Sequence, residues 1–196
     1  MWSAAILAGG TARRFGGRDK SGLVVDGQSI LSHQLAMLRG LTDHVFVVAN
    51  DPIRYATFGV EVVRDLVPGA GSLGGIYTAI MSAPTDGTVV IACDMPFVTG
   101  SFLRHLVEQA GDADVTIPRA HNCLHPMCAA YSRRCAAAIR RRLDVGALKV
   151  TAFLDDVTVR EIGPEEVAMF DPDGLLLANI NTPDDYARAI AARRTR

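Results

Sequence analysis

The stretch Leu7-Ala8-Gly9-Gly10-Thr11-Ala12-Arg13-Arg14-Phe15-Gly16-Gly17-Arg18-Asp19-Lys20 sets four basic side chains among four glycines. Glycines let backbone N–H groups approach an anion closely and adopt conformations other residues resist. Guanidinium forks and a lysine point charge then neutralise phosphate oxygens. This is a loop for a polyphosphate, most directly a nucleotide. Lys20 is the expected catalytic cation, stabilising charge that builds on a transferring phosphoryl group, and Arg14 is expected to hold the β and γ phosphates. Arg13 and Arg18 are weaker candidates, each equally explained as a solvated side chain. No G-x-x-x-x-G-K-S/T spacing surrounds Lys20, and no G-x-G-x-x-G spacing starts at Gly9 or Gly10. A P-loop and a nicotinamide fingerprint are therefore both set aside.

A second chemical group stands in Val89-Val90-Ile91-Ala92-Cys93-Asp94-Met95-Pro96. A carboxylate at the end of an apolar strand is suited to Mg²⁺, which takes few carboxylates and completes its shell with phosphate oxygens and water. Asp94 is the expected metal ligand, against the plainer alternative of a turn aspartate before Pro96. Asp65 precedes a second glycine-rich segment, Pro68-Gly69-Ala70-Gly71-Ser72-Leu73-Gly74-Gly75. There a helix N-terminus near Ser72 would turn its first N–H groups toward an anion or a base edge. His121, Cys123, His125 and Cys128 have the composition of a zinc site but match no standard ligand spacing, so no zinc is assigned. Cys93 and Cys135 read as small buried hydrophobes.

The elements that must position these groups follow from the apolar patterning. Strands are expected at 3–7, 44–49, 60–64, 88–92 and 113–117, and helices at 29–40, 73–83, 100–110, 132–143 and 183–193. Alternating strands and helices are the signature of an α/β fold with a mostly parallel sheet, here a Rossmann-like three-layer α/β/α arrangement. In such sheets ligands gather at the carboxyl ends of the strands. The glycine loop, Asn50, Asp65 and Asp94 each follow one of the first four strands, so they should share one edge. The 196 residues fit a single domain. It divides into a nucleotide-binding half over about 1–117 and an acceptor-binding half over about 118–196, where antiparallel strands are expected.

Composition narrows the partners. A net charge of −1 argues against a broad nucleic-acid surface. No apolar run reaches the length of a membrane span, and Met1-Trp2-Ser3 lacks the basic start of a secretory leader. The expected location is cytoplasmic, with reduced cysteines. Nothing in the sequence demands more than a monomer.

Residues 7–20 resemble the opening motif L-A-G-G-x-x-x-R-[M/F]-G-G-x-D-K of the MobA family, the molybdenum cofactor guanylyltransferases. The resemblance extends to Asp65 and its glycine loop, where Ser72 and Gly74 replace a proline and an alanine. It continues through Cys93-Asp94-Met95-Pro96-Phe97, His125-Pro126 and Asn179-Ile180-Asn181-Thr182-Pro183. It implies that Leu7, Ala8, Gly9, Gly10, Arg14, Lys20, Asn50, Asp65, Gly75 and Asp94 surround the nucleotide. It implies further that Asp94 and Asn181 serve the metal, and that His125, Pro126, Asn179 and Asn181 face the acceptor. Asn181-Thr182 also reads as plain helix capping. Arg133 and Arg134 read either as contacts to an acceptor phosphate or as a solvated helix face. The implied activity is Mg²⁺-dependent transfer of GMP from GTP to molybdenum-molybdopterin, with transient contact to cofactor-biosynthesis or insertion proteins. Gly9 matches the guanylyl pattern L-A-G-G, whereas Met95 matches the cytidylyl relatives. A cytidylyltransferase acting on molybdopterin or on a sugar- or alcohol-phosphate is the alternative. A nucleotide-binding regulator without turnover is the rival of another class.

Overall fold

Trp2–Leu7 forms β1, and the strands that flank it show why it is central. In the computed structural model, which describes residues 1–8, 24–25, 28–120, 122–180 and 183–194, β1 pairs in parallel with Val45–Val48 (β4) on one side and Gly87–Ala92 (β6) on the other. Glu61–Val63 (β5) continues the parallel run beyond β4. A short hairpin, Val24–Val25 (β2) and Gln28–Ser29 (β3), stands apart from this sheet.

Beyond β6 the sheet changes sense. Cys128–Ser132 (β9) lies antiparallel between β6 and Val115–Ala120 (β7). Cys123–Leu124 (β8) folds back on β7, and Val159–Ile162 (β10) closes the far edge parallel to β7. The order is β10-β7-β9-β6-β1-β4-β5, with β8 appended to β7. The expected antiparallel strands are therefore β8 and β9. The presence of β9 starts the following helix at Cys135 rather than at 132.

Two-residue alternation along the strands splits the core into two layers. Ala4, Ile6, Val89 and Ile91 face the helices Ile30–Arg39 (α1) and Gly100–Glu108 (α3), through Leu31, Leu35, Leu38, Phe102, Leu103 and Leu106. Ala5, Leu7 and Val90 face Gly71–Ser82 (α2) and Cys135–Asp144 (α4), through Leu73, Ile76, Ile80, Ala138 and Ile139. Because both faces are covered, β6 is buried at every position, as parallel strands between helical layers require. Two helices complete the second half: the short Pro164–Ala168 (α5) has proline and two glutamates in its first turn, and Pro183–Arg194 is α6. A small third cluster, Ile30, Phe97 and Ile180 with Leu175 and Tyr186 against it, fastens the 175–180 segment to the start of α1 and the segment after β6. Among the described residues no helix is long and apolar enough to cross a membrane.

Candidate active site

The register brings β4, β1 and β6 to a level finish, with Leu7 opposite both Val48 and Ala92. Backbone bonds extend this order past the strands. The Ala49 amide donates to the Val63 carbonyl at 2.9 Å, the Ala8 amide to Val48 at 3.0 Å, and the Cys93 amide to Leu7 at 3.1 Å. The Ala92 amide reaches the Met127 carbonyl at 2.8 Å, and the Ile180 amide reaches the Asp94 carbonyl at 2.8 Å. Asn50, Asp65, Leu7, Ala8, Asp94, the His125-Pro126 turn and Asn179 thus share one edge of the sheet. Gly9, Gly10, Arg14, Lys20 and Asn181 lie outside the described residues, as do Arg13, Arg18 and His121.

Several expected site residues also build the walls. Asn50 is exposed, and its Oδ1 accepts the Asp65 amide at 3.1 Å. Asp65 Oδ1 accepts from the Thr78 hydroxyl at 2.9 Å and the Val67 amide at 3.2 Å. The Thr78 hydroxyl, fully buried, also accepts the Leu66 amide at 2.9 Å. The glycine-rich segment after Asp65 is thereby tied to α2, whose N-terminus carries no side-chain cap. Gly75 is buried inside α2, where an added Cβ would stand 3.3 Å from Leu7 Cδ1. Its missing side chain lets α2 lie close over β1. The Tyr55 hydroxyl, from the short helical segment Pro52–Phe58, donates to the Ala8 carbonyl at 3.2 Å.

In the second half of the chain, the His125 amide donates to the Pro118 carbonyl at 2.9 Å, and the Pro126 carbonyl accepts from the Tyr131 hydroxyl at 2.6 Å. Asn179 is exposed just before the Ile180 anchor. Arg133 and Arg134 are elsewhere. The Arg133 guanidinium donates to the carbonyls of Ala83 and Thr85, next to the start of β6. Arg134 donates to Asp114 at 2.5 Å, beside the start of β7. Both brace the opposite edge of the sheet. Arg134 is exposed, as the solvated-face reading expects, and Arg133 is partly exposed, but each guanidinium is also engaged by a loop carbonyl or a carboxylate.

A groove of about 600 Å³ opens in the second half, walled by Arg119, Leu124, Arg142, Lys149 and Glu161 among others. It lies on the α4 side of β7 and β10. Two of its cations are already paired. Arg119 forks onto Glu161 at 2.6 and 2.8 Å, and Arg142 donates to Asp156 at 3.0 Å.

The chemistry of a strand-end carboxylate suits a hard divalent cation. Asp94 is partly buried at the end of β6. No group of three or more His, Cys, Asp or Glu among the described residues is arranged to share a metal. Magnesium asks for one or two carboxylates plus phosphate oxygens, whereas a structural zinc asks for four protein ligands. Cys123 is exposed, while Cys128 is buried in β9 with its thiol pushed up to about 12 by burial.

One contributor escaped the reading of the sequence. Gln34, only 1% exposed, projects from α1 toward the Asp94 turn, and its Nε2 donates to the carbonyls of Ala92 at 2.9 Å and Met95 at 3.1 Å. The available signal was its place in the apolar stripe Ile30, Leu31, Gln34, Leu35, Leu38 of α1.

An open α/β/α sheet with a strand-end aspartate and polar turns on one edge, entered by a strand whose sequence runs on into a glycine-rich, basic segment, is the arrangement of a nucleotidyltransferase. Residues 4–157 match the family model described as the MobA-like NTP transferase domain, and the chain belongs to this family. It is 34% identical over 188 residues to the molybdenum cofactor guanylyltransferase of Desulfosudis oleivorans, covering 95% of this chain and 93% of that protein. The crystal structure of molybdopterin-guanine dinucleotide biosynthesis protein A from Archaeoglobus fulgidus superposes with a TM-score of 0.83 at 30% identity, covering 100% of both chains. The 4-diphosphocytidyl-2C-methyl-D-erythritol synthase of Anaerococcus prevotii shares the fold, with a TM-score of 0.74 at 13% identity over 99% of this chain and 96% of that one.

Proposed function

We propose that this chain transfers GMP from GTP to the terminal phosphate of molybdenum-bearing molybdopterin, giving the guanine dinucleotide form of the cofactor and pyrophosphate. The observation that carries the reading is the convergence on the Asp94 turn. The strand leading into the glycine loop, the segment after the His125-Pro126 turn and the residue between Asn179 and Asn181 all hydrogen-bond to residues 92–94. A nucleotide held by the first and an acceptor held by the other two would meet at that carboxylate.

An acceptor phosphate oxygen attacks the α-phosphorus of GTP. The new P–O bond forms as the bond from the α-phosphorus to the bridging oxygen breaks, and pyrophosphate departs with that electron pair. No general base is required, because a phosphate monoester is largely dianionic at neutral pH, its second pKa being about 6. Arg14 and Lys20 hold the triphosphate and the charge that grows on the leaving group. Asp94 and Asn181 would hold Mg²⁺, which supplies neutralisation of the phosphate oxygens. Leu7, Ala8, Gly9, Gly10, Asn50, Asp65 and Gly75 shape the nucleotide's side of the edge, and His125, Pro126 and Asn179 the acceptor's. We place the chain in the cytoplasm, working as a monomer with brief contacts to proteins that make or insert the cofactor.

The base assignment rests on Gly9. Met95, the residue that pointed toward cytidine, is 1% exposed and packs in the α1–α3 layer of the core. Its identity therefore answers to packing rather than to a base.

The test is pyrophosphate release from purified protein given molybdopterin acceptor, Mg²⁺ and either GTP or CTP. GTP should be used at least ~10-fold better, the discrimination that roughly 1.4 kcal/mol of differential binding supplies. Better use of CTP would overturn the base assignment, and no release with either would overturn the activity.

A further inference from the structure

We propose that Gln34 is a positioning residue for Asp94. Its carboxamide grips the carbonyls on both sides of the turn that carries this carboxylate, and so sets the affinity of the site for its divalent ion. The inference rests on the reading of Asp94 as the metal ligand.

The geometry supports a dedicated role. α1 buries Ile30, Leu31, Leu35 and Leu38 along one stripe, and Gln34 is the polar member of that stripe. Both Nε2 bonds cross to a distant part of the chain, to Ala92 and Met95. The Met95 amide closes the turn onto the Ala92 carbonyl at 3.2 Å. Gln34 thus spans the two ends of a short turn whose middle holds Cys93 and Asp94. The Cys93 amide and the Asp94 carbonyl are held from other sides by Leu7 and Ile180.

A packing role alone would not select this residue. Among the described residues, Gln34 Oε1 is buried and has no hydrogen-bond partner. An unpaired carbonyl oxygen in the core is costly, and an aliphatic side chain of similar volume would avoid that cost. What glutamine adds is its pair of N–H donors, and both are directed at the Asp94 turn. Groups that orient metal ligands from behind typically change metal affinity about 10–100-fold when removed.

The experiment measures Mn²⁺ binding to the protein–GTP complex by electron paramagnetic resonance, in the wild type, Asp94→Ala and Gln34→Leu, with a thermal melt of each free protein. The wild-type complex should bind Mn²⁺ more tightly than free GTP does, Asp94→Ala should fall to the level of free GTP, and Gln34→Leu should bind at least ~10-fold more weakly than the wild type while melting no lower. If Gln34→Leu does not fold, Gln34→Met, unbranched and of similar volume, is measured in its place. Mn²⁺ affinity in the Gln34 variant within about twofold of wild type, with the Asp94 variant defective, would overturn the role of Gln34 alone. A wild-type complex whose Mn²⁺ binding is no tighter than that of free GTP, or is unaffected by Asp94→Ala, would overturn the metal reading of Asp94 and this inference with it.

Discussion

The amide of Ile180 donates to the carbonyl oxygen of Asp94 at 2.8 Å, joining residues 86 positions apart in the chain. The bond is flanked by the apolar cluster of Ile30, Phe97 and Ile180, so the two segments are fixed by packing as well as by polarity. The segment holding Asn179 and Asn181 is thereby attached to the turn after β6, and a change at either end should be felt at the other.

Asp94→Ala should lower kcat by roughly 10³-fold, the scale lost when developing charge loses a main stabiliser. The Ile180 bond uses the backbone of Asp94, so circular dichroism and melting temperature should stay near wild type. Steady-state pyrophosphate release checks the first, and the melt the second.

Thr78→Val tests the glycine-rich wall opposite. It keeps the shape but removes the hydroxyl that accepts the Leu66 amide and donates to Asp65 or to the Gly74 carbonyl. The variant should lose about 1–3 kcal/mol in denaturant titration, because a buried amide partner is left unpaired. KM for GTP should rise, since Asp65 Oδ1 loses the Thr78 hydroxyl and keeps only the Val67 amide.

Asp114→Asn should destabilise in a pH-dependent way. Burial pushes the Asp114 carboxyl up, but the hydrogen bonds from Arg134 and the Thr158 amide, with the guanidinium charge, outweigh it and hold the carboxyl below 3.8. A depressed folded-state value means that the stabilisation is complete above about pH 4 and is lost as pH falls through the folded value. Wild type should therefore exceed the variant by about 1 kcal/mol near neutrality. The two should converge below pH 3.8 when urea melts are compared.

Gly87→Ala reports on the far edge of the sheet. Gly87 lies opposite Trp2 in the β1–β6 register, and an added Cβ would sit 2.6 Å from the indole Cε3. The ring must move, at a cost of roughly 1–3 kcal/mol. Trp2 is the protein's only tryptophan, so its fluorescence should change while KM for GTP does not.

Thiol labelling at pH 8 should separate the four cysteines. Cys123 is exposed and should react first, and Cys93 is partly buried and should follow. Burial pushes Cys128 and Cys135 up to about 12, so both should label only after unfolding. Mass spectrometry of tryptic peptides reads the order.

The edge of the sheet was legible because each strand of the first half ends where an apolar β-branched run meets a glycine or a polar residue. Leu7-Ala8, Asn50, Asp65 and Asp94 could be placed on this ground alone. The second half was harder for physical reasons. β9 is Cys-Ala-Ala-Tyr-Ser, with no β-branched residue to mark it, and its small side chains serve a crowded position between two strands. β10 is a short edge strand, Val-Arg-Glu-Ile, whose charges face solvent. Arg133 and Arg134 stood beside a correctly expected helix, yet their partners, Ala83, Thr85 and Asp114, come from other elements. Gln34 was silent because its meaning depends on carbonyls 58 and 61 positions away.

The insertion of β9 has a consequence for biosynthesis. On the ribosome, β5, β4, β1 and β6 are all synthesised before residue 128, and β6 waits with one whole side of its backbone unsatisfied. Such an apolar, ladder-ready margin invites pairing with other nascent chains. Truncations ending before Cys128 should therefore precipitate, whereas chains reaching Ser132 can seal the margin from within.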